Sequence, residues 1–269
     1  MRKFLVAIGL SLFTSIAGAA GNIVSLGGSV TEIVYALGQE KRLIATDMSS
    51  LYPSEAKELP QVGYYRNISV EGIVSTAPAL VLASENAGPK EVLDRIAELG
   101  IKVERVSDDS TVESLYQRIS QIAKVLNTEQ EGAVLLAEVK AAVENAMTLS
   151  TTPYRATLVV NRTGTFQAAG VGTSADELMR LAGFENIFSE QQSYKPVSKE
   201  SFLERQPEVI ITTTASVEKS GGLTQFAKDP VIANTPAAAA GRIVVLDDLL
   251  ALGMGPRLDQ AIRQLRAVP

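Results

Sequence analysis

Tyr64, Tyr65 and Arg66 stand together after Gly63, near the end of a polar, Pro-bounded stretch from Ser49 to Asn67 (SSLYPSEAKELPQVGYYRN). Once it has lost its proton, a phenol is a strong anionic oxygen donor to ferric iron. Its free pKa of about 10 means that at neutral pH it needs the metal, and preferably a nearby cation, to ionise. Arg66 is such a cation. Two Tyr residues in a loop serve as readily as half-buried packing groups, so the residues alone leave both readings open.

The rest of the composition removes competing chemistry. The chain has no His, no Cys and no Trp, which excludes a Ser-His-Asp or Cys-His triad and any zinc or copper site built on imidazole or thiolate. Asp108-Asp109 and Asp247-Asp248 are adjacent carboxylates following strand-like runs, but adjacency does not make a facing acid and base. An exported carboxylate-dependent hydrolase is therefore the remote alternative. Gly27-Gly28-Ser29 opens a helix, yet without a dinucleotide or P-loop pattern it reads as a tight turn before it reads as a phosphate site.

These residues sit in a chain that repeats itself. SVEGIVSTAPALVLAS from Ser69 and SKESFLERQPEVIITT from Ser198 share Ser-x-Glu, six residues, Pro and an apolar run. In each, Ser caps a helix, Glu71 or Glu200 sits in the positive first turn, and Pro closes the helix before a strand. A second echo lies upstream of each copy, Ser29-Val30-Thr31-Glu32 running to Gly38 and Ser174-Ala175-Asp176-Glu177 running to Gly183. Two motifs recurring in one order predict two similar α/β lobes with largely parallel sheets, and a ligand held between them.

With 269 residues and 46% hydrophobic content the chain can bury one large core or two smaller ones, and the repeats favour two. Residues 1–19 carry Arg2 and Lys3, an apolar run too short to span a bilayer, and Ala17-Gly18-Ala19, which predicts a signal peptide cleaved after Ala19 or Ala20. The mature chain is then expected in the periplasm, without insertion into the membrane. Loss of Arg2 and Lys3 takes the formal charge from −5 to −7, which argues against nucleic acid as a partner. The expected organisation is an N-terminal lobe over 20–127, a connecting helix over 128–150 with Asn127-Thr128 as break and new cap, and a C-terminal lobe over 151–269. The helix from Glu129 to Leu149 would be about 30 Å long.

At VGYYRNISVEGIVSTAPALVLASENAGP the chain resembles the periplasmic haem-binding proteins of bacterial ABC importers. The resemblance continues through IVSLGGSVTEIVYALG, AAGVGTSADELMRLAG, YKPVSKESFLERQPEVI and DDLLALGMGPR, and so covers nearly the whole mature chain. It implies the bilobal periplasmic-binding-protein fold with one long connecting helix and little hinge motion. It implies a monomeric receptor, not an enzyme, that takes haem b (hemin) as cargo and hands it to the transmembrane subunits of an ABC permease with its ATPase. By position, Tyr64 is the implied axial ligand to haem iron; Tyr65 stands where Met is usual, so a second phenol competes for that role. Arg66 is implied to stabilise the phenolate or pair with a propionate. The resemblance also places Arg162 at the cleft where some members have His, which speaks against two stacked haems. It makes Glu71 and Glu200 the paired acids that dock on the permease. Arg257, in Gly255-Pro256-Arg257, matches a family motif without an assigned role. The cleft is expected to be largely apolar. The same fold with a corrinoid (vitamin B12) or ferric siderophore as ligand is the alternative.

Overall fold

The computed structural model describes residues 21–161 and 164–269; the expected signal peptide and Arg162 lie outside the described residues. The N-terminal part alternates strand and helix in the order β1 (Ile23–Leu26), α1 (Gly28–Ala36), β2 (Leu43–Thr46), α2 (Val70–Val74), β3 (Leu80–Ser84), α3 (Lys90–Glu98), β4 (Lys102–Val106) and α4 (Val112–Leu126). Its sheet runs β2-β1-β3-β4, and every pair is parallel. β1 and β3 read as unbroken apolar runs, IVSL and LVLAS, because helices cover both faces: every residue of the two strands is buried. Val30 and Ile33 of α1 with Leu115, Ile119 and Ile122 of α4 cover one face, and Ile73, Leu93 and Ile96 of α2 and α3 the other.

A long helix follows, α5 (Glu129–Met147), and then β5 (Arg155–Asn161), β6 (Phe166–Ala169), α6 (Ser174–Ala182), β7 (Glu185–Asn186), β8 (Tyr194–Pro196), α7 (Lys199–Arg205), β9 (Val209–Thr213), α8 (Thr214–Lys219), α9 (Leu223–Lys228), α10 (Pro236–Ala239), β10 (Ile243–Leu246), α11 (Asp248–Leu252) and α12 (Leu258–Arg266). The second sheet runs β10-β9-β5-β6-β8, with β7 pairing β5. The pairs β10–β9, β9–β5 and β5–β7 are parallel, but β6 is antiparallel to both β5 and β8. The two lobes are thus alike in class and in their parallel pairs, and differ in the antiparallel edge that β6 and β8 add to the second sheet. β6 and β8 are short and carry Gln, Lys and Pro among few apolar residues, so neither shows the apolar run that marks β9.

Both repeat helices are capped as their sequences predict. Ser69 accepts a hydrogen bond from the Gly72 amide at 3.0 Å, and Ser198 from the Ser201 amide at 3.2 Å. The upstream echo is capped differently: Thr173, not Ser174, caps α6, and α1 starts at Gly27 without a side-chain cap. Thr128 is the N-cap residue of α5 as expected, but its side chain makes no capping hydrogen bond. Asn127 closes α4 in the left-handed region at φ 57°, and the Thr128 hydroxyl turns back to the Ala123 carbonyl.

The expected pair of separate cores is also revised. α5 buries Val139, Val143 and Ala146 between α4 on one side and α12 on the other, so one apolar cluster runs from Ile23 of β1 through α5 to Leu265 of α12. Each sheet keeps a second cluster of its own on its outer face, built in the C-terminal part around Phe202 and Phe226. The α4–α5 contact is close because Gly132 faces Ala123: a Cβ at position 132 would lie 2.2 Å from the Ala123 methyl. Gly132→Ala therefore destabilises the protein by about 1–3 kcal/mol through overpacking, even though Ala is the better helix former. A lowered urea midpoint with unchanged slope is the expected reading.

Candidate functional site

The Ser49–Asn67 stretch is fixed from one buried point. Asp47, fully buried just past the end of β2, accepts four hydrogen bonds: the Gly27 amide (2.9 Å) and Ser50 hydroxyl (3.0 Å) on Oδ1, and the Ser49 (2.9 Å) and Tyr65 (3.2 Å) amides on Oδ2. One carboxylate thus ties the turn before α1 to both ends of the loop that carries the phenols. The Gly63 carbonyl accepts from the Met48 amide and the Val62 amide donates to the Thr46 carbonyl, extending the anchoring along the loop. Asp47 is absent from the sequence-based site. Its one signal is an acid placed immediately after an apolar strand and before Ser-Ser, in TDMSS.

The loop presents its two phenols differently. Tyr64 is 40% exposed, lines the cleft, and carries no side-chain hydrogen bond among the described residues. Tyr65 packs edge-on against it with ring centroids 5.0 Å apart, is half-buried, and accepts a 2.8 Å hydrogen bond from Arg66 Nε. The Arg66 guanidinium also lies 5.2 Å from the centre of the Tyr65 ring. Burial pushes the Tyr65 phenol up to about 12, against the pull of Arg66. Tyr64, Tyr65 and Arg66 all line the cleft, and of the two phenols Tyr64 is the one whose hydroxyl Arg66 does not engage.

The cleft holds a cavity of about 470 Å³ walled by both sheets' loops, within the usual range for a small-molecule site. Gly28, Ser29, Tyr64 and Asp108 stand on one wall; Thr173, Tyr194, Asp248 and Leu252 on the other. Both α1 and α6 point their N-terminal ends at it, which is what the upstream echo encodes. The expected apolar cleft is not what forms. Leu51, Leu249, Leu252 and the Tyr rings supply apolar surface, but Ser, Thr, Asn and Asp from helix starts and strand ends share the wall, because those residues satisfy the backbone at such ends.

Behind the first wall lies a buried cation that the sequence reading passes over. Arg118 of α4 is fully buried; its Nη1 reaches Asp108 Oδ1 at 2.9 Å and donates to the Ser29 hydroxyl, while its Nε and Nη2 have no partner among the described residues. Asp108 Oδ2 accepts from the Ser84 hydroxyl at 2.5 Å. The signal was an Arg on the same helical stripe as Leu115, Ile119 and Ile122. Of the adjacent acids, Asp108 is thus committed to Arg118. Asp247 caps α11 through the Leu250 amide at 3.0 Å, and Asp248 accepts from the Ala215 amide at 2.9 Å. Among the described residues no group of three or more acids could hold a metal ion.

Arg257, without a role in the sequence reading, crosses between the lobes. Its Nε donates to Glu32 Oε1 of α1 at 3.0 Å, its Nη2 lies 3.6 Å from Asp247, and its guanidinium stacks 3.5 Å from the centre of the Tyr52 ring. Glu32 is 3% exposed. Burial raises its pKa above the ordinary 4.5 by more than Arg257 lowers it. The fold thus favours protonated Glu32, a contribution present below pH 4.5 and lost as pH rises through the elevated value.

Glu71 and Glu200 are both exposed in the first turns of α2 and α7. The α7 start, with its own backbone amide and the Ser198 hydroxyl, holds the Glu200 carboxyl below its ordinary range.

Two α/β lobes joined by a long helix, with a ligand-sized cavity between them, are the architecture of a substrate-binding protein. The chain belongs to the periplasmic binding protein family, whose profile matches residues 23–250. Among solved structures it is similar to the apo form of the periplasmic haem-binding protein RhuT from Roseiflexus sp. RS-1, at 36% identity and TM-score 0.88 over 93% of this chain and 98% of that one. It is similar also to the periplasmic haem-binding protein BhuT in complex with two haems, at 33% identity and TM-score 0.84 over 91% and 96%. Among curated proteins it is 32% identical to the vitamin B12-binding protein of Photorhabdus laumondii over 76% of this chain and 78% of that one. These are binding proteins, and the chain is not an enzyme. Among the described residues no helix is long and apolar enough to cross a membrane.

Asp47→Asn replaces an acceptor oxygen with an amide donor that faces two of the four donors. It is expected to cost about 1–3 kcal/mol or more. Thermal and urea denaturation should show this loss, together with faster amide exchange at Tyr65.

Proposed function

We propose that this protein captures haem in the cleft between its lobes through the Tyr64 phenolate and delivers it to an ABC permease. The observation that carries the reading is the division of labour between the two phenols: Tyr65 is hydrogen-bonded and half-buried, whereas Tyr64 faces the cavity with its oxygen uncommitted. A ferric centre arriving there would take the accessible oxygen and displace its proton, as a cation in contact lowers a phenol's pKa. Arg66 adds positive charge beside the developing phenolate while its own hydrogen bond holds Tyr65 back. The similarity to two solved haem-binding proteins across nine-tenths of the chain supports the same cargo. Glu71 and Glu200, one exposed acid on each lobe, are suited to register a partner with matching cations, and the permease is that partner in this reading.

The curated similarity to a vitamin B12-binding protein favours a second reading, a corrinoid in the same cleft. The many hydroxyl and carboxylate groups on the wall suit amide-bearing cargo as well. Titration of the mature protein with hemin and, separately, with cyanocobalamin distinguishes the two. A saturable tyrosinate-type spectrum with hemin, weakened at least tenfold (about 1.4 kcal/mol) in Tyr64→Phe and retained in Tyr65→Phe, is the expected result. Binding of cyanocobalamin with no hemin complex in any variant would overturn the haem reading.

A further inference from the structure

The Glu32–Arg257 contact joins α1 of the first lobe to the segment after α11 of the second, and little around it can give. A Cβ at Gly255 would sit 2.9 Å from Glu32 Oε2, and one at Gly28 would sit 2.3 Å from the Ser49 carbonyl and 2.6 Å from the Leu249 side chain across the cleft. Tyr52, from the loop that carries Tyr64, closes the other side of the guanidinium. Ser29 and Leu249, three residues before Glu32 and two after Asp247, both line the cavity. We infer that the Glu32–Arg257–Asp247 contact, with Tyr52 stacked upon it, is an interlobe latch that sets the separation of the cleft walls, so that Glu32 and Arg257 are positioning residues for ligand capture.

The energetics fit a device for position more than one for stability. Arg257 does not fully offset the cost of burying the Glu32 carboxylate, and an ion pair of that kind often contributes little net free energy while fixing one arrangement of the groups around it. The shared core along α5 and α12 holds the lobes together without the latch, and it reaches the cavity only at its edge, through Tyr194 and Leu252. Loss of the latch should therefore loosen the cleft and leave both lobes folded. The inference concerns the frame and holds whichever cargo the cleft takes.

The test needs no ligand. The chain has no Cys, so Ser75→Cys and Thr224→Cys place one spin label on an exposed position of each lobe. Pulsed electron–electron distance measurements on the apo protein are then compared with and without Glu32→Gln/Arg257→Met, which removes both charges together. The expected result is an interlobe distance distribution roughly twofold broader, with an unfolding midpoint close to that of the parent. An unchanged distribution overturns the latch. A broadened distribution accompanied by loss of near-UV circular dichroism also overturns it, because the pair would then be holding up a lobe. If the double variant does not fold, Arg257→Lys, which keeps the charge but cannot reach both acids while stacking on Tyr52, is judged by the same two criteria.

Discussion

The arrangement of the cleft depends on one buried carboxylate. Asp47 gathers the amide of Gly27, the amide of Ser49, the hydroxyl of Ser50 and the amide of Tyr65 onto two oxygens. The three amides would otherwise be buried or partly buried backbone donors without a partner, while the Ser50 hydroxyl also bonds the Thr31 hydroxyl. Meeting all four at once leaves the loop from Ser49 to Asn67 few alternatives, so that a connection without regular strands is nevertheless fixed where it meets the cavity. Both phenols and Arg66 line the cavity, but with the Tyr65 backbone pinned its hydroxyl is taken up by Arg66, and the Tyr64 hydroxyl is left without a side-chain partner among the described residues.

The two lobes are held at two places with different physics. Along α5 and α12 they share an apolar core, and burial there contributes stability in proportion to area. At the cleft itself they meet through glycines, one ion pair and an aromatic stack, contacts that demand particular geometry and return little net free energy. A binding protein gains from that separation, since the affinity of a preformed cleft depends on how its walls are spaced more than on how stable each lobe is.

Much of this was legible in the sequence because it rests on local signals. The Ser-x-Glu repeat marked α2 and α7 with their caps, the long helix former run marked α5, and the Gly-Tyr-Tyr-Arg segment marked residues that line the cavity. What was hidden depends on contacts between distant residues. Nothing local couples Glu32 to Arg257 or Arg118 to Asp108 and Ser29, and the antiparallel pairing of β6 and β8 arises from neighbours and not from their own composition. The polar character of the cleft was misjudged for the same reason: its Ser, Thr and Asp residues look like loop residues until the fold brings the loop ends of two sheets face to face.

The central claim is that Tyr64, and not its neighbour, is the group on which the cargo's iron rests. A crystal structure of the mature protein grown with hemin tests it most directly. The account predicts a porphyrin in the interlobe cavity with the Tyr64 phenolate oxygen at coordination distance from iron and the Arg66–Tyr65 hydrogen bond retained. A porphyrin ligated through Tyr65, or a cavity in which hemin does not enter, would contradict it.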